Sequence, residues 1–465
     1  MVGGAVFAAS PSGRPIPAGR PADVLASAID RLGELPEHGL GANAALARLT
    51  EVLAEYDVDL THPFAAAHLQ PPPLAVAVAA DALAAAGNAS LDTYDSGPAA
   101  IAVERWVVAA LTGLAGFGPG ADGVFTPGGT LSNLTALLLA RDAAAARLGV
   151  DVRSDGVAAL PDPVVLCSEA AHFSVQRACA ALGIGEHAVR PVAVDPLRRM
   201  RPDALDSQLR SGGTPVAVVA TAGTTDFGSV DPLHEVAEVA REHGAWLHVD
   251  AAYGFGALFS AKLAGLVDGL SLADSVTADL HKIGWQPASA SVLLVRSAAS
   301  FGALERSVAY LNPEDDRAEG YDGTLGRTLQ TTRRADAVKV AATLLALGRA
   351  GLGALVDRCH ELARHAAGLI AADPAFELVG GATLTTVVFR YRTADESRSD
   401  EVNAGLRRRL LRSGEALVGR TEVDKATCLK FTLLNPNARE ADLVALLALV
   451  REAGSAAERL LEGVA

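Results

Sequence analysis

Residues 233–254, LHEVAEVAREHGAWLHVDAAYG, read as a helix from Leu233 to His243 that leads into an apolar strand, Trp246-Leu247-His248-Val249-Asp250. The strand ends in a carboxylate, and the small residues Ala251 and Ala252 follow it before Tyr253-Gly254. The same alternation extends to both sides. Val164 to Cys167 is a strand candidate followed by Ala170-Ala171-His172-Phe173-Ser174 at a helix start, and Val216 to Thr221 is another, ending in Ala222-Gly223-Thr224-Thr225. Ser275 to Ala278 and Ser291 to Val295 supply two more. Uninterrupted apolar strands separated by helices imply an α/β fold whose mostly parallel sheet is covered on both faces, with ligands bound beyond the carboxyl ends of the strands. His172, Thr224, Asp250 and Lys282 each follow a strand candidate, so all four can face one crevice.

The remainder of the 465-residue chain frames this core. Met1 to Arg20, rich in Gly, Ala and Pro, reads as a flexible tail without the basic start and apolar run of a signal peptide. Apolar residues then recur at helical spacing (Val24, Leu25, Ile29, Leu32 and Leu46, Leu49, Val52, Leu53), so residues 21–100 form an N-terminal helical segment. The large domain spans 101–349. Beyond it, a helix–strand–helix–strand–helix pattern over 350–465 predicts a small C-terminal α+β domain. Few apolar anchors lie between Leu311 and Thr328, which marks a mobile loop. A formal net charge of −14 argues against nucleic acid or an anionic membrane as partner and favours a small molecule. The four cysteines lack metal-site or disulfide-framework spacing, so no metal is expected and the cytoplasm is the expected compartment.

Three features carry chemistry. Thr126-Pro127-Gly128-Gly129-Thr130 runs into a helix, whose N-terminal amides and dipole suit a phosphate. Asp250 at a strand end and Lys282 in Asp279-Leu280-His281-Lys282 add a carboxylate and an amine, and His172 adds an aromatic ring. Together they fit pyridoxal phosphate. The lysine amine can bond the aldehyde, the carboxylate can keep the pyridine nitrogen protonated, His172 can stack on the ring, Ala252 is small enough to let the ring lie flat, and Gly129 with Thr130 can bind the phosphate.

FTPGGTLSNLTALLLARD, SEAAHFS, TAGTTDFGSVDPL, WLHVDAAYG, DLHK and QTTRRADAVK strongly resemble the group II pyridoxal-phosphate-dependent amino-acid decarboxylases, over roughly residues 50–450. The resemblance implies an aspartate-aminotransferase-like fold (fold type I), a homodimer with the active site near the subunit interface, and release of the α-carboxylate as CO₂. Lys282 then resembles the lysine that bonds the cofactor, Asp250 the pyridine-nitrogen partner and His172 the stacking residue. Gly129, Thr130, Thr224 and His281 resemble cofactor contacts, and Arg333 a substrate-carboxylate contact. For the proton donor that this family carries on a mobile loop, Tyr321 is the nearest candidate and Thr324 an equally placed one. THPFAAAHLQPP, SLDTYDSGP, AYLNPED and VGRTEVDKATCLKFTLLNP look most like the bacterial 2,4-diaminobutyrate and siderophore-type lysine decarboxylases. A diamino acid substrate is therefore expected, with His68 and Asp95 as further contacts and Asp92 or Asp95 pairing its distal ammonium. The same scaffold also accommodates decarboxylation of glutamate, aspartate or an aromatic amino acid, transamination, aldehyde formation, or C–S and C–C cleavage. A non-catalytic homologue should have lost at least one of Lys282, Asp250 and His172.

Overall fold

The computed structural model describes residues 13–462; the first twelve residues of the expected tail lie outside it. The chain divides into two compact units, residues 73–357 and the described residues up to Pro72 together with Arg358 onward.

The first unit is built on a seven-stranded sheet. Its strands are β1 (Asp122–Thr126), β2 (Pro163–Ser168), β3 (Val189–Val192), β4 (Thr214–Thr221), β5 (Trp246–Asp250), β6 (Ser275–Asp279) and β7 (Ser291–Val295), in the order β1-β7-β6-β5-β4-β2-β3. Neighbours from β6 through β5, β4 and β2 to β3 run parallel, while β7 is antiparallel to both β1 and β6. Every residue of β6 and β7 is buried, as expected of strands covered on both faces. The helices that matter to the site are α1 (Pro98–Leu114), α2 (Gly129–Arg147), α3 (Ser174–Ala181) and α4 (Leu233–Glu242). Helix α2 packs across β4 to β7. Its Leu137, Ala140 and Ala144 share a core with Val165, Cys167, Val216 and Val219 of the sheet. Register places Thr221, Asp250 and Thr277 side by side at the carboxyl ends of β4, β5 and β6.

The strand expectations for β2, β4, β5, β6 and β7 agree with the structure to within two residues at each end. β1 and β3 are additions. β3 (Val-Arg-Pro-Val) is a sheet edge, where a proline is tolerated, and its sequence carries no apolar run. A further helix, α5 (Ala337–Ala372), is broken at Gly348 (φ 61°, ψ −175°), just before the expected end of the large domain at residue 349. It is long and apolar enough to cross a membrane, yet it carries a fully buried Lys339 paired with Asp81 and Asp336.

The second unit contains antiparallel β8 (Phe376–Gly380), β9 (Thr386–Tyr391), β10 (Leu417–Val423) and β11 (Ala426–Thr432), with Ala65–Ala66 added parallel to β10. Asp424 and Lys425 turn the β10–β11 hairpin with positive φ at both positions, the geometry of a primed two-residue turn. Helices α6 (Ser399–Ser413) and α7 (Glu440–Glu462) contribute Leu406, Leu446 and Val450 to a core around Phe389 and Phe431. Gly19 and Pro15 are tied by backbone hydrogen bonds to Arg412 and Asp59. The helices Pro21–Leu32 and Ala42–Tyr56 bury no residue at all.

Candidate active site

A cavity of about 260 Å³ opens where β4, β5 and β6 end and α2 begins. Gly128, Gly129 and Thr130 line it from the helix start, Ala170 and His172 from the turn after β2, and Thr221, Gly223 and Thr225 from the end of β4 and the turn after it. Asp250, Ala252 and Tyr253 line it beyond β5, with Asp279, His281 and Lys282 beyond β6. Parallel strands deliver their carboxyl ends to the same edge, which is why residues 150 positions apart in sequence converge here. The N-terminus of α2 brings a positive dipole end to this cavity.

Asp250 is only 7% exposed. Its Oδ2 accepts from Asn133 Nδ2 at 2.8 Å and its Oδ1 from the amide of Ala252 at 3.1 Å. Asn133 also donates to Ser174 Oγ (2.9 Å), and its Oδ1 lies 2.7 Å from Thr277 Oγ1 and 3.0 Å from His248 Nε2. Ser174 Oγ in turn lies 2.9 Å from His172 Nδ1. Burial holds His172 below the usual imidazole range, against the opposing pull of Asp250. The wholly buried His248 is pushed down to about 4 by the same cause and is neutral at physiological pH.

Lys282 follows β6 in a turn whose two ends are joined. Asp279 and Ser291 are register partners of β6 and β7, and Ser291 Oγ donates to Asp279 Oδ1. Lys282 Nζ lies 2.9 Å from Asp279 Oδ2, and His281 Nε2 lies 3.7 Å from the same oxygen. Burial lowers the His281 pKa. Gly129 suits the helix start, because a Cβ there would lie 3.0 Å from both Asp279 carboxylate oxygens, a tight contact. An amine, an acceptor-only carboxylate on an adjacent strand and a glycine-bounded helix N-terminus around one small cavity fit pyridoxal phosphate: aldehyde, ring nitrogen and phosphate each meet a group of the right chemistry.

Seven of the expected residues therefore share the cavity: Gly129, Thr130, His172, Asp250, Ala252, His281 and Lys282. Thr224 does not reach it. Its hydroxyl accepts from the amide of Ser229 and closes the 224–229 turn, and Thr225 takes its place on the cavity wall. Arg333 is not presented to a substrate carboxylate either. It is buried against Glu104, with Nη2 2.8 Å from Oε1 and Nη1 3.1 Å from Oε2, and it also donates to Phe125 O and Thr324 Oγ1. Glu104 pairs the guanidinium, and Arg333 is not among the residues that line the cavity. Thr324 is engaged from both sides, since its hydroxyl donates to Leu91 O while accepting from Arg333. Tyr321 is 57% exposed, with its ring edge-on to Tyr94 at 5.6 Å, and does not line the cavity. Asp95 accepts from Thr93 Oγ1 within its own turn, and Asp92 accepts from Ser96. His68 belongs to the other unit, where burial and the cations Arg407 and Lys430 lower its pKa.

Asn133, Ser174, His248, Thr277 and Asp279 escaped the sequence reading, although strand periodicity contains the signal. In WLHVD, His248 and Asp250 are two apart and share a face, as do Ser275, Thr277 and Asp279 in SVTAD. Polar residues at every second position of otherwise apolar, doubly covered strands need a polar partner across the layer. Asn133, one turn into α2, supplies it.

A family model described as "Pyridoxal-dependent decarboxylase conserved domain" matches residues 48–392. An L-2,4-diaminobutyrate decarboxylase of Rhizobium meliloti is 43% identical over 417 residues, covering 89% of this chain and 82% of the relative. One from Acinetobacter baumannii is 35% identical over 444 residues, covering 92% and 86%. Among solved structures, the glutamate decarboxylase domain of diaminobutyrate-pyruvate transaminase and L-2,4-diaminobutyrate decarboxylase from Vibrio parahaemolyticus superposes with a TM-score of 0.83 at 33% identity, covering 95% of this chain and 91% of that one.

Proposed function

The chain belongs to the pyridoxal-dependent decarboxylase family, and from that premise we propose that it removes the α-carboxylate of a diamino acid, with L-2,4-diaminobutyrate placed ahead of ornithine and lysine. It is a pyridoxal-phosphate-dependent carboxy-lyase of fold type I acting on an amino acid. One observation carries the reading of the site: the Lys282 amine, the Asp250 carboxylate and the start of α2 meet at a single cavity. The 43% identical diaminobutyrate decarboxylase supports the choice of substrate.

When bound, the cofactor's protonated pyridine ring draws off the electron pair that departing CO₂ leaves at the substrate's α-carbon. Lys282 would hold the cofactor through its amine. Asp250 would keep a proton on the ring nitrogen, and burial beneath α2 would strengthen that interaction by excluding water. Gly129 and Thr130 would bind the phosphate, Ala252 would leave room for the ring, and His172, whose pKa burial lowers, would lie against it. In this reading Tyr321 returns a proton to the α-carbon from a loop that reaches the site of a second copy, which accords with its absence from the cavity of its own chain. A homodimer follows, with the second copy covering the outward faces of helices 21–32 and 42–56, where Leu25, Ile29, Leu46, Leu49 and Leu53 are exposed. The cytoplasm is proposed as its compartment, consistent with four free, buried thiols.

The test is a screen of amino acids for CO₂ release by the cofactor-loaded protein, repeated with Lys282→Ala. Turnover of a diamino acid by the wild type and its near-complete loss in the variant are expected. Turnover of glutamate or tyrosine without 2,4-diaminobutyrate, ornithine or lysine would overturn the substrate assignment, and retained activity in Lys282→Ala would overturn the role of Lys282.

A further inference from the structure

We propose that Asn133 is a positioning residue which sets, through one side-chain amide, both the aim of the Asp250 carboxylate and the tautomer of His172. The proposal rests on the function assigned above, because those two groups matter only if they flank a bound ring. It follows from the hydrogen-bond directions, anchored at the acceptor-only Asp250 carboxylate.

Trp246 Nε1–H can only donate, and it meets Ser275 Oγ at 2.8 Å. Ser275 Oγ also lies 2.8 Å from His248 Nδ1. At the other end of the chain the Asp250 carboxylate only accepts, so the Asn133 atom facing it is the amide nitrogen and the opposite atom is the oxygen. That oxygen accepts from Thr277 Oγ1 at 2.7 Å and from His248 Nε2 at 3.0 Å, so the uncharged His248 carries its ring proton on Nε2 and its Nδ1 accepts from Ser275. Both N–H groups of Asn133 then point the other way. One reaches Asp250 Oδ2 and the other Ser174 Oγ. His172 Nδ1 accepts from the Ser174 backbone N–H at 3.3 Å, and the Ser174 hydroxyl, which accepts from Asn133, donates to the same ring nitrogen. His172 then carries its proton on Nε2.

Asn133 is the branch point, 2% exposed, with Ser174, His248, Ser275 and Thr277 around it all fully buried. The opposite tautomer of His172 would set its Nδ1 proton against the Ser174 backbone N–H. Asn133, which also lines the cavity, thus serves both functional groups, with one N–H directed to each arm. The charged groups acting on His172 are Asp250, Lys282, Asp279 and Arg177, of which Asp250 is itself part of the network.

The experiment records histidine side-chain ¹H–¹⁵N correlations on the cofactor-free full chain at neutral pH. Asn133→Asp is nearly isosteric, but it replaces two donors by an acceptor, takes the Ser174 proton and sets a second carboxylate against Asp250. Ser174→Ala removes only the arm to His172. Wild-type His172 is expected as a single Nε2–H tautomer, and both variants as mixtures with the Nδ1–H form. Titration with pyridoxal 5′-phosphate, followed by absorbance, should show affinity reduced about 10- to 100-fold in Asn133→Asp, in line with loss of a hydrogen bond to a charged group, and about 2- to 3-fold in Ser174→Ala. An Nδ1–H tautomer in the wild type, or an unchanged Nε2–H tautomer in Ser174→Ala, overturns the proposal; should Asn133→Asp fail to fold, Ser174→Ala decides. A wild-type chain that binds no pyridoxal 5′-phosphate overturns the functional reading, and the tautomer result still decides the coupling.

Discussion

Glu104→Gln puts the buried Glu104–Arg333 pair to a direct test. The two side chains are 3% and 4% exposed and make two contacts with each other, at 2.8 and 3.1 Å. Removing the carboxylate charge leaves a guanidinium in low dielectric with no counter-charge, a change that costs about 3–5 kcal/mol. For a unit of this size each kcal/mol lowers Tm by about 2–4 °C, so a fall of roughly 6–20 °C is expected. Differential scanning calorimetry measures it. Replacing both partners at once, Glu104→Leu with Arg333→Met, should recover most of the loss, since two apolar groups of similar volume need no charge compensation. A fall of less than about 2 °C in Glu104→Gln, accompanied by a raised KM for the amino acid in Arg333→Met, would refute the structural assignment of Arg333 and return it to the substrate carboxylate.

Three further outcomes are expected. His248 has a folded-state pKa of about 4, below its unfolded value, so its contribution to stability is complete above about pH 6.5 and is lost as pH falls through 4. Against His248→Gln, the wild type should therefore show the steeper loss of unfolding free energy between those limits, by up to about 3 kcal/mol in denaturant titrations, and parallel profiles would contradict this. Gly129→Ala drives a methyl group into the Asp279 carboxylate and should weaken pyridoxal 5′-phosphate binding about tenfold in an absorbance titration, roughly the equivalent of one lost hydrogen bond; unchanged affinity would show that the helix start tolerates a side chain. Burial pushes the thiols of Cys167, Cys179 and Cys359 up to about 12 and that of Cys428 to about 11. A thiol reagent at neutral pH should therefore label none of them in the folded chain and all four after denaturation, and rapid native labelling would contradict their burial.

The parts of the molecule legible in its sequence are those written locally. β5 reads as a strand because five residues combine apolar character with a terminal Asp, and Lys282 reads as an active amine because its neighbours match a known pattern. β1 was not legible: Asp-Gly-Val-Phe-Thr is short, contains a glycine and is defined by antiparallel pairing with β7, about 170 residues away. The role of Arg333 was hidden for the same reason, since its partner Glu104 lies 229 residues earlier on α1. Nothing local in QTTRRADAVK distinguishes an arginine aimed at a substrate from one neutralised by a distant helix. Asn133 stands between these cases. Its partners occupy alternate positions of two strands, a regularity visible in the sequence, but only the packing of α2 across them shows which polar side chain they meet.

The closure of the Lys282 turn makes the sheet itself the gauge of the reactive nitrogen. Ser291 bonds Asp279 across the register of β6 and β7, and Asp279 holds the lysine amine, so the position of that amine is inherited from the pairing of two strands rather than from the loop that carries it. Sequence changes within the turn that leave this pairing intact should disturb the amine little, whereas a change at Ser291, remote from the chemistry in sequence, should act on it directly.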